Sequence, residues 1–183
     1  MAKKFIEDFF IKDAKIFSTN FSGREKKDPN TGKIVNPEGK MTFCVRIPDD
    51  IAQDMTDDGW NVRISAPREE GDEPGYYMPV EVKYRDRSGR PLGNAIYPHI
   101  YMYVGRPGRK ETELTEDSIK SLDGSKFNQI DLLIHPKNYI DDRTGEEKIK
   151  AYLLDGRFTL SESRMESLYA GYRDEEPEEM PFD

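Results

Sequence analysis

Ile96-Tyr97-Pro98-His99-Ile100-Tyr101-Met102-Tyr103-Val104 decides how the rest of this chain is read. At the strand period of two, Ile96, Ile100, Met102 and Val104 fall on one side, suited to a core. Tyr97, His99, Tyr101 and Tyr103 fall on the other, with their rings facing one way. Pro98 has no N–H for a ladder bond, so the regular strand starts at His99 or lies at a sheet edge. A row of rings on the solvent side of a sheet needs a reason. Two stand open: a second layer or dimer partner covers them, or nucleobases stack on them.

Three upstream segments repeat the pattern. Met41, Phe43, Val45 and Ile47 alternate with Thr42, Cys44 and Arg46. Trp60, Val62, Ile64 and Ala66 alternate with Asn61, Arg63 and Ser65. Tyr76, Met78, Val80, Val82 and Tyr84 oppose a face showing Tyr77, Glu81, Lys83 and Arg85. If each apolar set turns to one core, the faces left outside collect Arg46, Asn61, Arg63, Tyr77, Lys83, Arg85, Tyr97, His99, Tyr101 and Tyr103. That is a basic surface interleaved with rings. Trp60, Tyr76 and Tyr84 share the core parity. The basic loops at 85–93 and 105–110 are either solvated turns or phosphate contacts along a groove; neither matches a nucleotide-cradling glycine motif. The candidate nucleic-acid contacts are therefore Arg63, Tyr77, Lys83, Arg85, Arg87, Tyr97, Tyr101, Tyr103, Arg106 and Arg109, without sequence-specific readout.

Around these strands the signals are weaker. Residues 5–17 fit a helical turn through Phe5/Phe9 and Ile6/Phe10, or a first strand over Ile11 to Phe17. Residues 22–40, with Arg24, Lys26, Lys27, Lys33 and Lys40, read as a hairpin or mobile loop. Asp49 to Met55 suits a short helix capped by an Asp, with Gly59 turning the chain. Leu114 to Leu122 reads as one short helix, with Thr115 as N-cap and Ile119 on its apolar side. Ile130–His135 and Ile149–Leu154 return to strand, joined by a turn at Asp141–Gly145. Gly156 marks a bend before Phe158, and Ser161 to Tyr172 suits a last helical turn packing Met165, Leu168 and Tyr169.

Apolar residues make up 35% of the chain and charged residues another 35%, so much of it must be solvated. No apolar run reaches membrane-span length, and Glu7 and Asp8 interrupt any signal-like segment. One cysteine, Cys44, precludes an internal disulfide and argues for a reducing, cytoplasmic setting. Two histidines and one cysteine are too few for a Cys/His zinc site, and no cofactor is expected. The net charge of −8 is concentrated at the end, where residues 174–183 hold six acids and no base. The remaining body is near neutral, leaving room for a basic face.

That end reads Arg173-Asp-Glu-Glu-Pro-Glu-Glu-Met-Pro-Phe-Asp183: an acidic run too polar to fold alone, closed by an apolar hook. It resembles the tips of bacterial and phage single-stranded DNA-binding proteins, in Glu178, Glu179, Met180, Pro181 and Phe182. Asp183 departs from the pattern by moving the terminal carboxylate one residue past the ring. The strand-rich body adds an OB-like pattern of short strands, a helix between strand groups and long basic hairpin loops: an antiparallel barrel with one or two short helices, spanning 1–173, with 1–17 as an extension or first strand. The resemblance of the tip implies an acidic tail over 174–183 that recruits replication or repair proteins and competes with DNA for the groove. Under this reading the protein is no enzyme and serves DNA replication, recombination and repair, in the host cytoplasm if phage-encoded. A homo-oligomer is left open.

Two rivals remain. Pro48-Asp49 with Glu81-Val82-Lys83 spells a PD…ExK nuclease pattern, in which Asp49 and Glu81 would hold Mg²⁺ and Lys83 assist water. Alternatively, a phage structural or protein-interaction role would turn the tyrosine row towards protein.

Overall fold

The structure, a computed structural model, describes residues 7–65, 70–71, 75–104 and 111–160. In chain order the elements are β1 (Phe9–Ile11), β2 (Ile16–Asn20), β3 (Lys26–Lys27), β4 (Ile34–Asn36), β5 (Met41–Ile47), α1 (Asp49–Asp58), β6 (Arg63–Ser65), β7 (Gly75–Val82), β8 (His99–Val104), β9 (Glu111–Leu114), a 3₁₀ turn (Ile119–Leu122), β10 (Phe127–Ile140) and β11 (Glu147–Leu160). The fold is mainly β and OB-like. All strands but β3 and β4, which form a separate hairpin, join one sheet with the path β1-β10-β11-β7-β5-β2.

The ladder is not closed, but one segment supplies both of its ends. β1 pairs with β10 and β2 with β5. The short link between them bonds both ways: the Ala14 N–H donates to Ile130 O at 2.7 Å, and the Arg46 N–H donates to Lys15 O at 2.9 Å. The sheet therefore curls round a single core. Alternation fills it from the long strands: Phe43, Val45 and Ile47 from β5, Met78, Val80 and Val82 from β7, Ile130, Leu132 and Ile134 from β10, and Ile149, Ala151 and Leu153 from β11 are all buried, whereas Ile64 on the short edge strand β6 is exposed against its expected parity. Trp60 and Tyr84 join them, at 3% and 2% exposure, as their parity requires.

The expected wholly antiparallel arrangement is corrected. β11 runs parallel to both β7 and β8, which lie end to end along one of its edges. Parallel neighbours need a long crossover, and the chain between β8 and β11 supplies it. A register shift where Leu133/Ile134 meet Asp155/Leu153 bends β11 between its two partners, and the buried Gly156 follows at once.

Two local expectations also change, and one left open is decided. α1 has Pro48, not an aspartate, at its N-cap and no side-chain cap bond. Asp49 and Asp50 instead occupy the first turn, where the positive end of the helix dipole favours them, and Gly59 closes the helix in the left-handed region at φ 102°. The 114–122 helix is reduced to the 3₁₀ turn, because Leu114 ends β9 and too few residues remain to nucleate an α-helix; Ile119 and Leu122 are nevertheless buried. Of the two readings left open for 5–17, the strand holds, over Phe9–Ile11 and Ile16–Asn20 with a turn between them. The proposed helical turn at 161–172 lies outside the described residues.

Candidate nucleic-acid interface

Ladder partners project to the same side of a sheet, so register alone assembles the outer face. Arg46 (β5), Tyr77 (β7) and Arg63 (β6) form one row. Phe17 (β2), Cys44 (β5) and Pro79 (β7) form the next. Thr42, Glu81, Tyr152 and His135 form a third, crossing from β5 to β10. Beyond the bend in β11, Arg157, Tyr101 and Glu113 form a fourth across β11, β8 and β9.

At one end of this face the Phe17 and Tyr77 rings meet edge to face, with centroids 5.3 Å apart. The Arg46 guanidinium stands 4.7 Å from the Phe17 centroid and donates to Ser65 Oγ at 3.2 Å. Arg46 and Arg63 are exposed; both rings are half-buried. Tyr77 thus lies between two cations whose guanidinium planes suit phosphate, with the Phe17 ring beyond Arg46 and under its guanidinium. Cys44 is half-buried in the next row, between Phe17 and Pro79, its thiol pKa pushed up by burial against the opposing influence of Arg63 and Lys26.

In the middle, burial raises the Tyr152 phenol pKa to about 12, assisted by the charge of Glu81 and a hydrogen bond to it. Arg87 acts on the same phenol in the opposite sense, which places one cation of the 85–93 loop near this row. The face then continues down the projecting end of β10 and β11, where Lys137 lies opposite Lys150. Lys137 Nζ is 5.8 Å from the Tyr152 ring and Lys150 Nζ is 5.1 Å from Tyr139. Lys148 is tied to Asp141 at 2.9 Å.

The far end differs in charge. Arg157 lies over Tyr101 at 5.0 Å, donates to Tyr103 Oη at 2.8 Å and pairs with Asp155 at 3.5 Å. Glu113 faces Tyr101 and Glu111 faces Tyr103 across β9, while His99 Nδ1 lies 3.4 Å from Glu113. Burial and the charges of Glu113, Asp155 and Glu111 raise the Tyr101 phenol pKa. This end is carboxylate-rich.

The structure thus brings Arg63, Tyr77 and Tyr101 onto one face, with Lys83 half-buried just past β7 and Arg87 exposed in the following loop. It corrects the idea of an open row of rings. Tyr103 is only 5% exposed: although its parity is outward, β9, β11 and the Arg157 side chain close over it. Tyr97 precedes the strand and packs against Tyr84 at 5.3 Å and His99 at 6.0 Å. Arg85 is engaged by Glu116 at 2.8 Å and donates to Gly89 O at 2.9 Å, so it braces its own loop. Arg106 and Arg109, and the tail residues Glu178, Glu179, Met180, Pro181 and Phe182, lie outside the described residues. Sequence reasoning missed Phe17, Lys137, Tyr139, Lys150, Tyr152 and Arg157. The parity of β11 was available for Tyr152 and Lys150, but their place beside β7 required the register.

The nuclease pattern is not assembled. Ile47, two residues before Asp49, pairs with Tyr76, five residues from Glu81. Roughly 17 Å of strand separates those positions, too far for two carboxylates to share one cation at about 2 Å each. Among the described residues no group of three or more His, Cys, Asp or Glu could hold a metal ion. No helix among them is long and apolar enough to cross a membrane.

No curated protein matches the chain. Among solved structures it is similar to the single-stranded DNA-binding protein from bacteriophage Enc34 in complex with ssDNA, at 10% identity and TM-score 0.49, covering 86% of this chain and 88% of that one. It is also similar to gp2.5, a single-stranded DNA-binding protein encoded by bacteriophage T7, at 11% identity and TM-score 0.34, covering 94% and 100%. At these identities no side chain of theirs is carried over. The family model described as "Putative phage ssDNA-binding domain" matches residues 1–179. With nearly its whole length matched, the chain belongs to this family of phage single-stranded DNA-binding domains.

Proposed function

We propose that single-stranded DNA lies along the outer face of the sheet, held by charge and stacking with no reading of base order. The observation that carries this is Tyr77 set between Arg46 and Arg63, its ring met edge to face by Phe17. Base-on-ring stacking contributes about 1–3 kcal/mol per base and is tolerant of base identity. Arg63, Arg46, Lys83 and Arg87 follow the backbone over the sheet, and Lys137 and Lys150 continue along the projecting strands. Tyr101 is a second platform. Arg106 and Arg109 are proposed phosphate contacts from the loop after β8. Tyr97 and Arg85 serve by shaping the platform and its loop, and Tyr103 by holding Arg157.

The acidic tail at 174–183 recruits replication or repair proteins through Met180, Pro181 and Phe182, and the protein acts in the host cytoplasm without catalysing a reaction. Cys44, the sole cysteine, is a built-in reporter because it lies between Phe17 and Pro79 on the proposed face. Alkylation of Cys44 by a maleimide should slow when single-stranded DNA is added and recover at high salt. An alkylation rate indifferent to saturating DNA would move the strand off this face.

A further inference from the structure

The outer face is uneven in charge, and the unevenness bears on base choice. Tyr77 lies three residues before Val80, which pairs with Ala151; Tyr101 pairs with Arg157, six residues after Ala151. The two platforms are therefore roughly 30 Å apart along the sheet. Around Tyr77 the facing side chains are Arg46 and Arg63. Around Tyr101 they are Glu113, directly opposite on β9 and with its Oε1 3.4 Å from His99 Nδ1, with Glu111 and Asp155 on the diagonals and Arg157 over the ring. Arg157 already donates to Tyr103 Oη and pairs with Asp155, so its donors are partly committed. A phosphate is repelled by those carboxylates, and a strand crossing this end must present bases instead.

A carboxylate can only accept hydrogen bonds. Cytosine, adenine and guanine offer amino donors on their pairing edges, whereas thymine flanks its single N–H with two carbonyl oxygens. Resting on the proposed path of the strand, we infer that the Tyr101 end selects bases: Glu113 makes it accept an amino-bearing base in preference to thymine. The raised phenol pKa of Tyr101 reports the same crowding of negative charge. Glu113 is exposed on a short edge strand, so replacing it leaves the core untouched.

The test compares labelled oligo-dC and oligo-dT of one length, bound to the full chain in mildly alkaline buffer and read by anisotropy. A single carboxylate–amino contact at the low end of base discrimination, about 1 kcal/mol, corresponds to roughly fivefold tighter binding of dC. Glu113→Gln, whose amide also donates, should bring the ratio near one without weakening dT. Arg63→Ala should weaken both oligonucleotides and keep the ratio. Equal binding by the wild type, or a ratio unchanged in Glu113→Gln, overturns the inference while leaving the DNA path intact. Binding of neither oligonucleotide overturns the path itself.

Discussion

Removing the two guanidiniums beside Tyr77, as Arg46→Ala/Arg63→Ala, tests the interface where its charge is greatest. The cations assigned to the backbone are Arg46, Arg63, Lys83, Arg87, Lys137 and Lys150, with Arg106 and Arg109. Each phosphate neutralised on a single strand contributes about −0.7 to the slope of log affinity against log salt, so together they give roughly −5.5. The double variant should fall to roughly −4. Over the decade from 0.1 M to 1 M salt each lost contact is about fivefold, so at 0.1 M the pair is roughly 25-fold, or about 2 kcal/mol. Anisotropy titrations over a sodium chloride series give slope and affinity together. Arg46 also leans on Phe17, so thermal stability should drop by about 0.5–1 kcal/mol from the lost cation–π contact. A slope unchanged from wild type would refute the reasoning, because the two exposed cations beside Tyr77 would then touch no phosphate. A loss of affinity without a change of slope would refute it equally, since the effect would be on ring geometry alone.

Other consequences separate structural from binding roles. Tyr103→Ala should cost stability on the scale of a buried aromatic truncation, about 3–5 kcal/mol, visible as a lower melting temperature; a stable variant with selectively lost DNA binding would return this ring to the contact surface. Gly59→Ala should destabilise by about 1–2 kcal/mol because the position is left-handed and an added Cβ would meet Glu147 O at 3.3 Å, as checked by urea unfolding. Deleting 174–183 should leave single-stranded DNA binding intact or tighten it, because a competing polyanion has gone; marked weakening would contradict the assigned role of the tail.

Much was legible in the chain before any coordinates. Alternation over 41–47, 75–82 and 99–104 predicted strands, because side chains on a pleated backbone must divide between core and water at every second position. The same rule put Trp60 and Tyr84 inside. β9 was not legible: Glu111-Thr-Glu-Leu has one buried residue, and a charged edge strand carries almost no apolar signal. Nor was the length of β10 and β11, since Lys137, Asn138, Lys148 and Lys150 leave little apolar signal there although Ile149 between them is buried.

Parity assigned each residue a side within its own strand, so the sequence alone determined that Arg46, Arg63, Tyr77 and Tyr101 face away from the core. It could not determine what stands beside them. That Phe17 meets Tyr77, that Tyr103 is buried while Tyr101 is only half-buried, and that carboxylates gather at one end all follow from strand order and register. Neighbours across a ladder are distant in sequence, and only the pairing of whole strands brings their side chains together.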